Sequence, residues 1–380
     1  MSERKTILRA ATVDCSLTFF DGTMSELLKK YDVQILSSPG EQLERMHEKY
    51  DVKVHPVEMY RRMSPFKDVT SLSRILRVFH REKPYMVHSM TPKAGLLCML
   101  AAWLTRVPVR VHTFTGLVWP TATGFKRKLL MFTDKITCAC ATNVIPEGEG
   151  VKRDLHDFHI TKKPMRVLGY GNVKGVDMVR FSRRQEVLEK AESIRDRECF
   201  TFLFVGRVVR DKGINELCEA FEQLYGRHPN TRLVLVGRFE DELDPISEAS
   251  RQTIEHHQGV KAVGQAHGEE LISYYAAADC FVFPSYREGF PNTVLEAGAM
   301  GLPSIVTDIN GSREIIAEGV NGTVIPAKDT QALAVAMERM VTNREWRESM
   351  AGNARQIIME RYEQQHVQKC LLEFYEEILK

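Results

Sequence analysis

Two successive series of short apolar runs, each alternating with segments of helical periodicity, limit the possible folds of this 380-residue chain more than any other feature. The first series occupies the amino-terminal half, and the second begins at Phe200. Regular alternation of strands and helices is typical of βαβ units, which form parallel sheets with helices on both faces. Because the chain is long for one compact core, the sequence predicts an α/β protein with two Rossmann-like, doubly wound domains.

The apolar runs predict the strands of both domains. In the first half the predicted strands are residues 7–13, 33–37, 52–57, 86–89, 109–113, 136–145 and 165–168. In the second half they are residues 201–205, 232–236, 260–263, 280–284, 304–307 and 322–325. Helical periodicity is clearest over 71–82, and residues 94–104 predict a largely apolar, buried helix.

A glycine-rich segment that begins at Gly169 separates the two series and is unsuited to a regular element. We place an amino-terminal domain at 1–168, a linker at 169–184 and a carboxy-terminal domain at 185–363. Residues 364–380 predict a final helix that packs back on the first domain. Two such domains in tandem face a central cleft, and doubly wound sheets bind ligands at the carboxyl ends of their strands.

Charge and hydropathy restrict the partners of the chain. A formal net charge of only +2 argues against a dedicated nucleic-acid-binding protein. Basic residues nevertheless gather in the first half among apolar ones, a pattern that suits an anionic membrane surface; ordinary solvated side chains are the alternative. These residues are Arg61, Arg62, Lys93, Arg106, Arg110, Lys126, Arg127 and Lys128, with Trp103, Leu117, Val118, Trp119 and Phe125. The longest apolar run, residues 94–104, is too short to span a bilayer, so we expect peripheral contact.

Cysteines and histidines give no sign of a metal site or of disulfides. The eight cysteines include no CxxC pair and lie mostly in apolar runs, which favours reduced thiols in a cytoplasmic protein. No signal peptide is expected, since Arg9 and Asp14 interrupt the apolar residues of the amino terminus. Four histidines lie on polar segments without a matching set of ligands, and we expect them to be surface residues. They are His156, His159, His256 and His257.

The first strand of the second series runs into the polar loop Gly206-Arg207-Val-Val-Arg-Asp-Lys212-Gly213 and then into a helix. Arg207 can make a forked contact with an anion, and Lys212 can add a point charge to the same anion. A diphosphate fits this pair. An ordinary surface loop with basic residues is the alternative.

A second loop, residues 284–291, follows a predicted strand and leads into a helix that starts near Asn292. The free N–H groups and the positive dipole end of that helix are suited to a phosphate. Glu288 in the loop and Glu296 in the helix can accept hydrogen bonds from vicinal hydroxyls, as carboxylates do when proteins hold sugars and riboses. A solvated helical glutamate is the alternative for Glu296.

Taken together, these motifs resemble the retaining glycosyltransferases of family 4, which have the GT-B fold. The motifs in question are Arg207 with Lys212-Gly, Glu288-x7-Glu296 within a Ser-x-x-Glu-Gly-Phe-Pro-Asn block, Gly301-Leu-Pro-Ser and Gly319-Val-Asn-Gly322. The resemblance implies that Arg207 and Lys212 neutralise a diphosphate leaving group, that Glu296 holds the ribose and that Glu288 positions the donor sugar. It also implies further donor-binding residues, which are Gly206, Val263, Phe290, Asn292, Thr293 and Val294.

The first domain carries Val87-His88-Ser-Met-Thr-Pro-Lys93 and Val109-Arg-Val-His112-Thr-Phe-Thr115-Gly. These segments are similar to those of bacterial family members that extend lipid-linked oligosaccharides for capsule or protein glycosylation. The resemblance implies acceptor binding by Gly22, His88, Lys93 and Thr115. Many relatives have a histidine at the position of Thr115. Either His112 takes the catalytic place of that histidine, or this chain works without a histidine there. The structural alternative for His112 is a histidine at a strand end whose hydrogen bonds are satisfied by the backbone.

The resemblance implies transfer of a hexose or N-acetylhexosamine from a UDP-sugar to a saccharide acceptor, expected on undecaprenyl diphosphate, at the cytoplasmic face of the bacterial inner membrane. No cofactor beyond the nucleotide sugar is expected, and the lack of an Asp-x-Asp pair argues against an obligatory metal. Alternatives on the same fold are a sugar-nucleotide epimerase, a phosphorylase-like enzyme and a non-catalytic nucleotide-sugar binding protein. A dinucleotide-dependent oxidoreductase is disfavoured, because the Gly-x-Gly-x-x-Gly fingerprint is missing after the first strand.

Overall fold

The computed structural model describes residues 4–60, 64–242 and 244–380, and the chain divides into two compact units. The described residues through Lys174, together with Gln364–Lys380, form the first unit, and Gly175–Glu363 form the second. The glycine-rich segment placed as a linker at 169–184 is therefore shared, with its first residues in one unit and the remainder in the other.

The first unit is built on a six-stranded parallel sheet in the order β3-β2-β1-β4-β5-β6. Its strands are β1 (Thr6–Ala10), β2 (Asp32–Ser37), β3 (Lys53–Pro56), β4 (Met86–Met90), β5 (Val109–Phe114) and β6 (Asn143–Pro146). Its helices, with the last one given below, are α1 (Asp21–Lys30), α2 (Glu41–Tyr50), α3 (Pro65–Glu82), α4 (Pro92–Leu104), α5 (Gly124–Cys140) and α6 (Glu149–Asp157).

Alternation along the strands gives this sheet a core on each face. Leu8 of β1 belongs to the core under α3, α4 and α5, whereas its neighbour Ile7 belongs to the core under α1 and α2. Successive side chains of a strand point to opposite faces, so a strand apolar at both positions requires helices on both sides.

The second unit repeats this architecture with a six-stranded parallel sheet in the order β12-β11-β10-β7-β8-β9. Its strands are β7 (Phe200–Val205), β8 (Thr231–Val236), β9 (Val260–Gly264), β10 (Cys280–Phe283), β11 (Ser304–Thr307) and β12 (Gly322–Ile325). Its helices are α7 (Gln185–Ile194), α8 (Ile214–Tyr225), α9 (Glu248–His256), α10 (Gly268–Ala277), α11 (Asn292–Ala299), α12 (Ser312–Ile315), α13 (Thr330–Thr342) and α14 (Arg344–Tyr362).

Each sheet has the strand order of a Rossmann fold, which confirms the prediction of two doubly wound sheets. The order reverses between β1 and β4 in the first unit and between β7 and β10 in the second. In such sheets the crevice for ligands opens at the carboxyl ends of the strands beside this point of reversal. In the second unit, the loops that follow β7 and β10 therefore lie where a ligand is expected to bind.

The last helix, α15 (Gln364–Ile378), lies in the first unit. It packs against α1, where Lys30 forms an ion pair with Glu376. The ring of Tyr375 is fully buried in the core on that face.

The prediction of a strand over 136–145 was wrong for its first half. Residues through Cys140 continue α5, and β6 begins only at Asn143. The buried positions Asp134, Thr137 and Cys138 have helical spacing, so tertiary burial overrides a local run of strand-forming residues. The ammonium of Lys163 donates to the carbonyls of Cys138 at 2.7 Å and Ala139 at 2.9 Å, which satisfies the end of the helix.

Residues 165–168, also predicted as a strand, form only an isolated bridge in the structure. Met165 pairs with Val144 of β6 in that bridge. The sheet of the first unit therefore ends at β6.

Candidate active site

Two loops meet at the carboxyl edge of the second sheet, where β7 and β10 are neighbours. The backbone N–H of Tyr286 donates to the carbonyl of Asp211 at 2.8 Å, and the hydroxyl of Ser285 lies 3.2 Å from the same oxygen. The guanidinium of Arg287 donates to the Asp211 carboxylate at 3.1 Å. These contacts hold the loop after β10 against the loop after β7.

A glycine makes the close approach of the two loops possible. Gly213 has φ +72°, and a Cβ built on it would lie 2.0 Å from the carbonyl oxygen of Pro284. Both the positive φ and the lack of space exclude other residues at this position. Gly213 also ends the 3₁₀ turn Arg210–Lys212 and so determines where the Lys212 side chain starts.

The two loops bring Lys212 and Glu288 into an ion pair. Their side chains are only 14% and 16% exposed, and the hydroxyl of Ser285 donates to Glu288 Oε1 at 2.7 Å. The ammonium of Lys212 also lies 5.0 Å from the centroid of the Phe283 ring, within range of a cation–π interaction. The site thus holds a cation and a carboxylate side by side in a partly desolvated position, where both interact strongly with a charged or polyhydroxylated ligand.

Arg207, the second basic residue of the first loop, pairs with a different carboxylate. Its guanidinium lies 2.7 Å from Glu240, which also accepts from Arg238 at 2.8 Å. Burial alone would raise the pKa of Glu240, but the hydrogen bonds and charges of Arg207 and Arg238 lower it. Arg207 is 42% exposed, so it keeps access to a ligand at this edge.

Helix α11 begins at this edge with Asn292, as the sequence predicted. Its N-cap is Pro291, whose side chain has no acceptor for the first N–H groups, and its first turn has no acidic residue. The first turn therefore has no carboxylate of its own to offset the positive end of the helix dipole, and that end favours a bound anion.

In the predicted phosphate-binding turn, the apolar side chains are buried, so a ligand would meet the backbone of the turn rather than these side chains. Phe290 is 5% exposed, with its ring 5.4 Å from that of Tyr362, and Val294 is fully buried. Both side chains are part of the core of the second unit. Asn292 and Thr293 are half-buried, and they remain the polar side chains of this turn.

Glu296 lies one turn further along α11 and is half-buried. The hydroxyl of Tyr275, a fully buried residue of α10, donates to Glu296 Oε2 at 3.0 Å. Burial and, after it, the Glu296 charge raise the pKa of Tyr275 well above its ordinary value, so this hydroxyl stays protonated as a donor. Sequence reasoning missed Tyr275, because nothing in the pattern of α10 indicates a contact with a residue of α11.

The remaining predicted donor-binding residues are Gly206, directly after β7, and Val263, in β9; β8 lies between these two strands. The N–H of Gly206 donates to the carbonyl of Val236 at 2.9 Å. A Cβ on Gly237 would lie 1.7 Å from the Gly206 oxygen, so the ends of β7 and β8 are in close backbone contact. Val263 of β9 is half-buried against the core.

The two histidines assigned to the first unit are buried in its core. His88 is 0% exposed, and its ring nitrogens contact the hydroxyl of Tyr375 and, at 2.7 Å, that of Thr113. His112 is 1% exposed, with Nδ1 2.9 Å from the hydroxyl of Ser89. Burial lowers the pKa of His112 to about 3 and that of His88 well below its ordinary value. Both imidazoles are neutral and enclosed. For His112, this placement favours the alternative in which the chain works without the catalytic histidine of its relatives.

The other residues assigned to acceptor binding are spread over the first unit. The ammonium of Lys93 lies 2.6 Å from Asp68, and both side chains are mostly buried, so this lysine is already neutralised. Gly22 is exposed in the first turn of α1, the helix that packs on α15. Thr115 is half-exposed directly after β5, at the carboxyl edge of the sheet, where a ligand of a doubly wound sheet binds.

The basic and apolar surface predicted from the sequence is narrower in the structure. Leu117 and Trp119 are buried, and the guanidinium of Arg110 donates to the backbone carbonyls of Cys140 and Val107. Trp103 and Phe125 are exposed, at 53% and 79%. Arg61 and Arg62 lie outside the described residues.

Among residues 4–60, 64–242 and 244–380, no group of three or more His, Cys, Asp or Glu side chains could hold a metal ion. Over the same ranges, no helix is long and apolar enough to cross a membrane. All eight cysteines have free thiols.

Two doubly wound units, with charged side chains and a helix amino terminus at the strand-order reversal of the second, have the architecture of the GT-B glycosyltransferases. Residues 187–357 match the family model of the glycosyl transferases group 1, and residues 23–171 match that of the glycosyl transferase 4-like domain. Over 377 residues, covering 98% of this chain and 97% of the relative, the chain is 32% identical to the capsular polysaccharide biosynthesis glycosyltransferase CapM of Staphylococcus aureus. The chain therefore belongs to the group 1 glycosyl transferases, and it is a glycosyltransferase.

Other proteins share the sequence or the fold to a lesser degree. An Escherichia coli UDP-Gal:alpha-D-GlcNAc-diphosphoundecaprenol alpha-1,3-galactosyltransferase is 28% identical over 75% of this chain and 73% of its own. The crystal structure of Anabaena HepE in complex with UDP has a TM-score of 0.80 and 16% identity, covering 98% of this chain and 100% of that one. At that identity the structural likeness shows the fold.

Proposed function

We propose that this glycosyltransferase moves a hexose or N-acetylhexosamine from a UDP-sugar to a saccharide carried on undecaprenyl diphosphate, with retention of anomeric configuration. The product is an intermediate of a surface polysaccharide or glycan. The single observation that carries the donor part of the proposal is the Lys212–Glu288 ion pair beside the amino terminus of α11.

The second unit offers a complementary group to each part of a nucleotide sugar. Lys212, Arg207 and the first turn of α11 supply positive potential for the diphosphate. Glu296 supplies a carboxylate for the ribose hydroxyls, and Glu288 supplies one for the hydroxyls of the transferred sugar. The UDP bound by HepE, which shares the fold, supports a uridine nucleotide.

The chemical step that suits these groups is displacement on the front face of the sugar. The bond from the anomeric carbon to the diphosphate oxygen breaks as the acceptor oxygen bonds to the same face. The departing diphosphate takes the proton of the acceptor hydroxyl. Lys212, Arg207 and the helix amino terminus stabilise the charge that develops on the leaving group. Because these groups are cationic or partly positive, the proposed step has no obligatory metal.

The proposed acceptor is supported by the names of the relatives, and the proposed location by the surface of the first unit. The E. coli relative is named for a diphosphoundecaprenol-linked acceptor and CapM for capsule synthesis. Helix α5 exposes a stripe of alternating apolar and basic side chains, formed by Phe125, Lys128, Phe132 and Lys135. We assign this stripe to peripheral contact with the anionic cytoplasmic face of the inner membrane, where such an acceptor is embedded.

The experiment that tests the proposal is a panel of UDP-, GDP- and ADP-sugars incubated with the purified protein in the presence of EDTA. Binding is followed by calorimetry and slow hydrolysis by release of nucleotide. We expect binding and hydrolysis with one UDP-sugar, and then transfer to a synthetic prenyl-diphosphate saccharide with the anomeric configuration kept. Preference for another nucleotide, or an inverted product, would overturn the donor or the stereochemical part.

A further inference from the structure

Tyr275 connects two helices of the second unit through its side chain. It lies in α10 and is fully buried. Its ring contacts those of Phe181, at a centroid distance of 6.2 Å, and Phe281, at 5.9 Å. Packing on both rings fixes the direction of the phenolic hydroxyl, which points to α11.

The hydroxyl of Tyr275 has two oxygen atoms of α11 within reach. Glu296 Oε2 lies at 3.0 Å and the carbonyl oxygen of Thr293 at 3.4 Å. A hydroxyl has one proton to donate, and a charged acceptor at the shorter distance takes it. A buried tyrosine hydroxyl requires such a partner, so the position of one carboxylate oxygen of Glu296 is set by the core.

We propose that Tyr275 is a positioning residue for Glu296, which it holds in the rotamer that accepts hydrogen bonds from the ribose hydroxyls of the donor. This inference rests on the proposed function, since it takes the donor to be a ribonucleotide sugar. Tyr275 itself is enclosed by apolar side chains and acts on the nucleotide through Glu296.

Preorganisation is the physical reason for such an arrangement. A glutamate side chain has several rotatable bonds, and a ligand that has to order them loses affinity. A carboxylate already fixed by a buried donor avoids this loss. Tyr275 therefore contributes to recognition of the ribose, and its contribution disappears for a nucleotide that lacks a ribose hydroxyl.

The test is the substitution Tyr275→Phe, which removes the donor and keeps the packed ring. Calorimetry gives the Kd of UDP, 2′-deoxy-UDP and 3′-deoxy-UDP for the wild type, Tyr275→Phe, Glu296→Gln and the double variant. We expect the wild type to prefer UDP over at least one deoxy analogue by about tenfold, as for loss of a hydrogen bond to a charged group. In Tyr275→Phe most of this preference is lost, and the double variant resembles Glu296→Gln.

Tyr274→Phe is the matched control, since it removes the same hydroxyl from the next residue of the same helix. The ring of Tyr274 lines a different pocket with Ile194 and Val234, and we expect its Kd values to equal those of the wild type. Equal weakening of UDP and both analogues by Tyr275→Phe would show a packing role and overturn the inference. So would effects of Tyr275→Phe and Glu296→Gln that add in the double variant.

Failure of the inference and failure of the proposed function give different results. A wild-type protein that binds UDP and prefers it over a deoxy analogue, with the preference unchanged in Tyr275→Phe, leaves the function standing and removes the role of Tyr275. A wild-type protein that binds UDP without any preference removes the ribose role of Glu296 and with it that of Tyr275. A wild-type protein that binds no uridine nucleotide overturns the proposed donor and the inference together.

Discussion

Lys212 and Glu288 are 76 residues apart in the chain and form an ion pair. One follows β7 and the other follows β10, the two strands between which the order of the second sheet reverses. A donor that takes Lys212 for its diphosphate and Glu288 for its sugar has to replace this internal pair by contacts with both residues. Under the proposed function, we therefore expect the binding of the nucleotide part to be linked to that of the sugar part.

Replacing Lys212 by alanine should weaken both binding and turnover. The change removes the cation that we propose balances the leaving group, and it leaves Glu288, 16% exposed, without that partner. We expect kcat/KM for the UDP-sugar to fall by roughly two orders of magnitude or more, as when a preorganised stabilising group is removed. Steady-state kinetics with calorimetric Kd values for UDP checks this, and normal turnover would contradict the assigned role.

Replacing Glu288 by glutamine should separate binding from transfer. The change keeps the size of the side chain and frees the charge of Lys212, so UDP should bind at least as tightly as to the wild type. Transfer should fall by about 100-fold or more, because the carboxylate that we propose orients the donor sugar is lost. The Kd of UDP and the rate of sugar transfer are measured on the same preparation. Weaker UDP binding in this variant would show that Lys212 does not hold the diphosphate.

Gly213→Ala tests how the two loops are held together. The new methyl group would meet the Pro284 carbonyl, 2.0 Å from the Cβ position, at a φ of +72°. We expect the free energy of unfolding to fall by more than about 1 kcal/mol. Gly352→Ala, in α14 with no atom within 4 Å of its Cβ, is the control and should be neutral or stabilising. Urea unfolding curves measure both, and equal stability of the two variants would contradict the close approach.

Asp134 should make the protein less stable as pH rises. Burial raises the pKa of this carboxyl to about 7, against the lowering effect of its hydrogen bond from Trp119. The folded state therefore holds a proton that the unfolded state releases near pH 4, so the free energy of unfolding falls between about pH 4 and 7, by at most about 1.4 kcal/mol per pH unit. Asp134→Asn should remove this part of the pH dependence. Urea unfolding gives the free energy of unfolding of the variant and of the wild type at pH 5 and pH 7.5. An equal change between the two pH values in both proteins would refute the raised pKa of Asp134.

His112 should make the protein less stable as pH falls. Its pKa falls to about 3 in the folded protein through burial, so below its ordinary value of 6.5 the unfolded state takes up a proton that the folded state does not. Stability from this group is complete above about pH 6.5 and is lost as pH falls toward 3. His112→Asn should show a shallower loss between pH 6.5 and 4.5 by the same unfolding assay. A steeper loss in the variant would be inconsistent with a neutral buried imidazole.

The exposed stripe of α5 should bind anionic bilayers. Phe125 is 79% and Phe132 is 58% exposed, and the exposed Lys128 and Lys135 alternate with them on the same face. Phe125→Ser with Phe132→Ser, or Lys128→Glu with Lys135→Glu, should reduce sedimentation with phosphatidylglycerol vesicles severalfold. Phosphatidylcholine vesicles are the control for charge. Binding that persists in both double variants would place the membrane contact elsewhere.

The sequence determined the class of fold and predicted the main residues of the candidate donor site. Short, continuous apolar runs alternating with segments of helical periodicity predict parallel sheets whatever the order of their strands, and the motif residues from Arg207 to Glu296 follow strands along the chain. Local sequence sets where these two loops end: Gly213 ends the loop after β7, and the start of α11 at Asn292 ends the loop after β10. Because both loops follow parallel strands, their arrival at one edge was predictable as well.

Only the tertiary structure decided which side chains face that edge and which enter the core. Local sequence does not distinguish His112, enclosed beside Ser89, from a histidine open to solvent, because burial depends on helices from elsewhere in the chain. For the same reason residues 136–140 are helical rather than extended. The contact between Tyr275 and Glu296 joins two helices that β10 separates in the chain, so their approach depends on how the sheet is assembled.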